Sequence, residues 1–496
     1  MKEFRLPKKL SLFDLRLLGD SVRAVLPSSS LSPIKKSRSI VEKIASGQNP
    51  VYGINTGFGS LASQKIPKDK LLELQRNLVL SHACGVGEIL SQEEARAILF
   101  LRANELSRGY SGARVELIEH MLRVFNSQAS PFIPSQGSVG ASGDLAPQAH
   151  MALLLIGEGN AFLKGKLMKS SQALRAIGCS PIKLEAKEGL SLINGTQAMQ
   201  AVGGLSLSFA YRVFEAAQKA AALSLEALTG TPTPFENQIQ KLKPHPGQRE
   251  AARQLKHLLK GSPLRESHRT NDPRVQDPYS LRCLPQVHGA VFDALEFSRK
   301  TVEREMESVT DNPIVFPNGE IISAGNFHGQ ALSFAFDFAA IALTSLGNMS
   351  ERRIFQLILG QAPRLKPFLA QRPGLESGWM IAQVAAASLA SENKILAHPS
   401  SSDSIPTSAN QEDFVSMGMG SALKLKKILN NVSRIIAIEV LCAASAMEYH
   451  KPLKPGLGVL SFLKKLREQI PPDLKDRPLS SEIEKARLLI LDGYFD

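Results

Sequence analysis

The sequence predicts an all-α fold with minor β-hairpins, and three observations carry that prediction. Apolar residues recur at three- and four-residue intervals in several segments bounded by Gly or Pro. Three longer segments are apolar on nearly every face, and strand signals are sparse. A chain of 496 residues, 43% apolar and 21% charged, is long enough and apolar enough to bury a sizeable core.

In chain order, residues 68–82, 92–107 and 115–127 are read as amphipathic helices. Another helix is expected to start near Asp144, with Pro147 tolerated in its first turn. Residues 197–228, 329–359 and 414–447 are apolar nearly all round and must lie among other helices. Such helices are hard to cover within one subunit, which predicts oligomerisation. Asn318-Gly319 between two short apolar runs, 313–316 and 321–323, predicts a hairpin. There is no repeat of fixed period and no low-complexity tract, and Ser/Pro-rich loops are confined to 27–33 and 398–406. The simplest organisation is one domain over residues 1–496, with an N-terminal part to about 200 and a long-helix and C-terminal part over about 201–496.

The net charge of +13 raises the question of nucleic acid. The densest basic stretch, 241–274, mixes Lys, Arg and His with Pro and Gly and offers few aromatics for base stacking. It is read as a solvated face, with no nucleic-acid partner expected. Cys84, Cys179, Cys283 and Cys442 match no CxxC or zinc-finger spacing, and the ten histidines show no HExxH, so no metal is expected. Glu3 and Asp14 interrupt the basic N-terminus and no apolar run leads to a small-residue cleavage site, so no signal peptide is read. The most apolar window, 331–346, carries Asp337 in its middle. A cytoplasmic protein without a membrane partner is the expectation.

Chemistry is concentrated in loops of small residues that abut helices. In Val51-Tyr52-Gly53-Ile54-Asn55-Thr56-Gly57-Phe58-Gly59, the glycine spacing formally satisfies a dinucleotide fingerprint, but no βαβ unit follows. In Gly137-Ser138-Val139-Gly140-Ala141-Ser142-Gly143-Asp144-Leu145, no Lys-Ser/Thr follows the last glycine, and Gly-x-Ser-Gly misses the hydrolase elbow by one residue.

Gly-Ala-Ser-Gly-Asp-Leu instead resembles the cofactor-forming loop of the aromatic amino acid ammonia-lyases, those of histidine and phenylalanine. The resemblance runs from Tyr52 to Asp476-Arg477-Pro478-Leu479. It includes Ser81-His82, Asn194 in Leu192-Ile193-Asn194-Gly195-Thr196-Gln197, and Gln276-Asp277-Pro278-Tyr279-Ser280-Leu281-Arg282. Gly325-Asn326-Phe327-His328 and Ser408-Ala409-Asn410-Gln411-Glu412-Asp413 complete it. Taken singly these residues would be core aromatics, helix caps or surface charges; their joint occurrence in order overturns that.

The resemblance implies an elongated helical bundle of the fumarase/aspartase-like type, a homotetramer with each active site drawn from three subunits. It implies a self-made cofactor, methylidene-imidazolone (MIO), cross-linked from Ala141, Ser142 and Gly143, with Asp144 assisting proton transfer. No external cofactor is implied. Tyr52 would be the base for the substrate β-proton, which requires its phenol to be depressed from about pH 10, with helix N-termini as the means. Arg282 would hold the carboxylate. Asn194, Gln276 and Tyr279 would position the amine, the cofactor and the carboxylate, and Phe327 would pack beside the cofactor. His82 and Glu412 point to L-histidine, whose buried ring nitrogens need partners, and hence to urocanate and ammonia, the first step of histidine degradation. Phe414 stands where histidine enzymes of the family usually carry His. The alternatives are a tyrosine or phenylalanine ammonia-lyase or aminomutase, and, remotely, a non-catalytic basic protein that binds nucleic acid.

Overall fold

The computed structural model describes residues 2–19, 22–270, 272 and 274–496. The helices expected from periodicity are found as Leu71–His82, Gln92–Leu106 and Val115–Asn126. The second starts at a reciprocal cap: the Ser91 hydroxyl accepts the Glu94 N–H at 3.2 Å, and the Glu94 carboxylate accepts the Ser91 N–H at 2.8 Å. The third buries Leu117, Ile118, Met121 and Phe125, and the Phe125 ring meets Phe100 of the preceding helix at 5.3 Å. The three long apolar segments form Gln197–Ala227, Gln330–Ile358 and Gly418–Glu448. Leu284–Met306 and Met380–Leu396 are further long helices that the apolar pattern did not single out.

The expected hairpin pairs Ile314–Val315 with Ile321–Ile322. The other small sheets were not foreseen: Lys2–Arg5 runs parallel to Val22–Val25, Val86–Ile89 pairs with Pro134–Gln136, and Asn160–Leu163 lies between Ala129–Pro131 and Lys166–Lys169.

Packing divides the chain into two compact units, each assembled from three stretches. One holds the residues up to Ser208 with Arg299–Asp337 and Pro399–Leu423; the other holds Phe209–Ser298, Phe338–His398 and Lys424–Asp496. The first contains all the small sheets and the shorter N-terminal helices. In the second, the long helices are joined by a fully buried polar node. Glu439 accepts from Arg353 Nε and Nη2 at 2.6 and 2.8 Å, from Ser224 Oγ at 2.7 Å and from Ser350 Oγ at 2.6 Å. A carboxylate with no access to water is tolerated only when its lone pairs are filled in this way.

By length and mean hydropathy, Gln330–Ile358 and Gly418–Glu448 are apolar enough to cross a membrane, although neither has 18 consecutive residues without a charge. An average tolerates the single Asp337 that breaks the run, and most of each apolar window is buried inside the protein. Several cations of the basic stretch 241–274 are paired: Arg253 with Glu250, Arg269 with Glu266 and Arg274 with Asp272 inside it, and Lys256 with Glu236 just before it.

Candidate active site

The first compact unit contains the Gly137–Gly143 loop, and the backbone there explains its small residues. Ser142 adopts φ 49°, a left-handed conformation costly for a residue with a side chain, beside Gly143 at 81° and Gly140 at 90°. A Cβ on Gly143 would collide with the Gly195 carbonyl, and one on Gly140 with Ser416 Oγ. Gly143 and Gly195 form a parallel bridge: Gly195 N donates to Ser142 O at 3.1 Å and Asp144 N donates to Gly195 O at 2.8 Å. Gly143 N is left with a long bond, 3.3 Å, to Gly140 O.

Asp144 ends the loop and precedes the helix Leu145–Leu155, yet its side chain does not cap that helix. Its carboxylate is fully buried and accepts from Ser138 Oγ at 2.8 Å and from Met199 N at 2.7 Å, at the start of Gln197–Ala227. Burial pushes the carboxyl up to about 6, and the bonds from Met199, Ser138 and Ala198 only partly offset it.

Beside the loop lies a cavity of about 540 Å³ lined by Tyr52, His82, Ser142 and Glu412, with Phe58, Leu74, Leu78 and Leu190 among its apolar walls. Tyr52 sits in a turn tied by Asn55, whose Oδ1 accepts the Val51 N–H at 2.7 Å and whose Nδ2 donates to Asn49 O at 2.9 Å. Gly53 follows at φ 75°, and a Cβ there would lie 2.7 Å from Leu190 Cδ2. Glu412 is held by Thr407, whose Oγ1 donates to Oε2 at 2.8 Å; Ser142 Oγ lies 3.4 Å from Oε1. His82, the last residue of Leu71–His82, has Nδ1 3.1 Å from Ser81 Oγ. Burial lowers its pKa, which keeps the ring neutral near pH 7.

The expectation of a depressed Tyr52 phenol is not met in the single chain. Burial raises its pKa, the Gly59 backbone pulls it down, and the negative Glu412 and Asp311 push it up again, leaving it above its ordinary value. No cation stands among these causes.

Other expected site residues lie outside this cavity. Asn194 is buried beneath the loop, donating to Asn312 O at 3.1 Å and Asp311 Oδ1 at 3.4 Å. Asp311 pairs in turn with the fully buried Lys187 at 2.7 Å. Its own burial would raise its carboxyl, but Lys187 and Arg102 outweigh that and keep it ionised. Ala141 faces a neighbouring cavity of about 310 Å³ that shares Ser81 and His82 with the first. Phe327 is half-buried and lines neither. Gln276, Tyr279 and Arg282 belong to the second unit. There the Arg282 guanidinium lies 4.4 Å over the exposed Tyr279 ring, and its buried Nε has no hydrogen-bond partner. Phe414 is exposed and stacks on His328 with centroids 6.0 Å apart. Trp379 lines a separate cavity of about 400 Å³ in the second unit, where Asp476 accepts from Ser377 N and Gly378 N at 2.9 Å.

Sequence reasoning missed Thr407, Asp311 and Gln148. Their signals are weak: single polar residues in loops, and, for Gln148, an amide on a helix whose other buried residues are apolar.

A model of the aromatic amino acid lyase family matches residues 11–468. The histidine ammonia-lyase of Myxococcus xanthus is 49% identical over 480 residues, covering 97% of this chain and 94% of that protein. Among solved structures, histidine ammonia-lyase from Trypanosoma cruzi superposes with a TM-score of 0.92 at 40% identity, covering 100% of this chain and 94% of that one. Tyrosine aminomutase from Streptomyces globisporus gives 0.93 at 35% identity, covering 99% and 96%.

Proposed function

The chain belongs to the aromatic amino acid lyase family, and on that premise we propose that it removes ammonia from L-histidine without oxidation and releases trans-urocanate. It is a carbon–nitrogen lyase. The observation that carries the substrate reading is the meeting of His82 and Glu412 with Tyr52 and Ser142 around one cavity. A neutral imidazole and a carboxylate offer hydrogen-bond partners to a polar ring, where a purely apolar wall would leave its nitrogens unpaired.

The residues fit a methylidene-imidazolone formed from Ala141, Ser142 and Gly143. Ser142 is already held in a left-handed turn, Gly143 has no room for a side chain, and Asp144 stands next to them with a carboxyl that burial pushes up to about 6. Once formed, that group would supply an electrophile toward the substrate amine and so make ammonia a better leaving group. Tyr52 takes the β-proton. Arg282 holds the substrate carboxylate through a planar donor with an unused Nε–H. Asn194, Gln276 and Tyr279 orient amine, cofactor and carboxylate, and Phe327 packs beside the cofactor.

A homotetramer whose sites draw on three subunits reconciles these roles with a single chain in which Gln276, Tyr279, Arg282 and Phe327 line no part of the cavity. Apolar side chains left exposed on the chain, among them Ile341, Ile381, Val384 and Ile395, support that reading. A cation arriving from another copy would also move the Tyr52 phenol downward, the direction its role as a base requires. The enzyme acts in the cytoplasm on a small molecule, with no nucleic-acid or membrane partner.

Tyrosine or phenylalanine as substrate is the second reading, prompted by Phe414. Since Phe414 stacks on His328 and does not line the cavity, its exchange for His leaves the ring-binding pair in place. Purified protein given L-histidine, L-tyrosine and L-phenylalanine separately, with ultraviolet absorbance and ammonia followed, tests both. Urocanate from histidine alone supports the proposal; coumarate or cinnamate would overturn the substrate, and no product from any would overturn the reaction.

A further inference from the structure

We infer that Gln148 is a positioning residue for formation of the ring: its side-chain amide clamps the Gly195 carbonyl, and Gly195 in turn holds the peptide units on both sides of Gly143. The inference rests on the reading that Ala141-Ser142-Gly143 cyclises.

Gln148 is fully buried in the first turns of Leu145–Leu155. Its Nε2 donates to Gly195 O at 2.8 Å and to Ile193 O at 2.9 Å, while Oε1 has no partner. Both neighbours of the nitrogen are carbonyl oxygens, so the orientation of the amide is fixed by chemistry. A buried amide with its oxygen unpaired is unfavourable, and an apolar side chain would serve this helix better if packing were the only task. What the amide provides is two donors aimed at the 193–195 backbone.

That backbone controls the loop. Gly195 O accepts from Gln148 and from Asp144 N, and Gly195 N donates to Ser142 O, so both flanks of Gly143 are tied to one residue. Gly195 cannot yield sideways: a Cβ there would lie 2.5 Å from Thr310 Oγ1 and 2.8 Å from Arg102 Nη1. With its flanks fixed, Gly143 has one free element, its own N–H, which points back at Gly140 O across 3.3 Å. This closes a turn whose central residues are Ala141 and Ser142, and the Ala141 carbonyl carbon is a member of the same hydrogen-bonded ring.

The reaction this turn prepares is redox-neutral. Gly143 N bonds to the Ala141 carbonyl carbon and its proton passes to the carbonyl oxygen, which leaves as water with the Ser142 amide proton, giving C=N. The Ser142 α-hydrogen and β-hydroxyl leave as a second water, giving the exocyclic C=CH2. Asp144 is placed to move protons in these steps. Gln148 touches none of the reacting atoms and acts only through Gly195.

The test is the intact mass of freshly synthesised, folded protein followed over time, with ultraviolet absorbance and a thermal melt alongside. Wild type is expected to become two waters lighter than its encoded mass, and Ser142→Ala, which lacks the β-hydroxyl that leaves as the second water, never more than one. Gln148→Met keeps length and volume but has no donor; it is expected to fold and to lose the two waters about tenfold more slowly. A merely structural residue would lower the melting temperature and leave that mass change at its wild-type rate, and this result overturns the inference.

Should Gln148→Met fail to fold, Gln148→Glu decides. Its carboxyl keeps one donor while protonated, so its ring formation falls further behind wild type as pH rises, and a rate equal to wild type at every pH overturns the inference. If wild type itself never loses two waters, the cyclisation reading fails, separately from any role of Gln148.

Discussion

Asp144 is a buried titratable side chain at the end of the loop. Its carboxyl is pushed up to about 6 by burial, so it is ionised above that pH and protonated below. If it accepts protons during cyclisation, ring formation must slow as pH falls through about 6, the point at which the carboxylate is lost. Asp144→Asn should form the ring slowly at every pH and lose the transition; intact mass against time at pH 5 and pH 8 checks this. At the substrate end, His82 and Glu412 line the cavity. Removing the imidazole in His82→Leu is expected to lower kcat/KM for histidine by about 10- to 100-fold, the equivalent of one or two hydrogen bonds, with a smaller loss or a gain for phenylalanine. Parallel steady-state assays on the two amino acids would show equal losses if His82 plays no part in ring recognition. Of the individual residues, those inside the small-residue motifs were legible because the backbone conformation they serve excludes larger side chains, as at Gly143. The upward shift of the Tyr52 phenol was not, because it is set first by burial and then by Glu412 and Asp311, residues distant in sequence that only folding brings near.

Elements with a 3.6-residue period were read to within a few residues, since the period reports directly which face is buried: Val115–Asn126 and Gln197–Ala227 are examples. Strands of two to four residues were mostly missed, because their stability comes from partners far along the chain, as when Ala129–Pro131 pairs with Asn160–Leu163. One was readable in principle. Lys164-Gly165, both at positive φ, is a hairpin turn between Asn160–Leu163 and Lys166–Lys169. The long helices present a different issue, since apolar faces alone do not fix how they register against each other. In the second unit the Glu439 node supplies that specificity. Glu439→Ala would leave Arg353 buried and uncompensated and is expected to cost about 3–5 kcal/mol, read as a fall in the denaturation midpoint. The double variant Arg353→Met with Glu439→Leu should recover much of it; a double variant no better than the single would mean that the node contributes packing and not charge pairing.

For the whole molecule, the decisive fact is that the cavity holding Tyr52, His82, Ser142 and Glu412 is not lined by Arg282, Tyr279 or Gln276, although the family resemblance assigns all of them to one site. If other subunits supply the second set, the two halves of the machinery can be inactivated in different chains and restored by mixing. Tyr52→Phe and Arg282→Met, each expressed alone as a homotetramer, should be nearly inactive. Co-expressed in equal amounts and assembled at random, they should give tetramers in which about a quarter of the sites receive wild-type Tyr52 from one chain and wild-type Arg282 from another. Activity recovering toward that fraction of wild type, with KM unchanged because the restored sites are complete, is the expected outcome. The pairing of Tyr52→Phe with Glu412→Gln provides the contrast, since both residues line one cavity of one chain: no mixed tetramer can then assemble more than half-sound sites beyond the parental background. Recovery in the first pairing and none in the second would place the boundary between subunits across the active site. Equal failure of both would mean that each chain completes its own site, and the exposed Ile381, Val384 and Ile395 would then need another explanation.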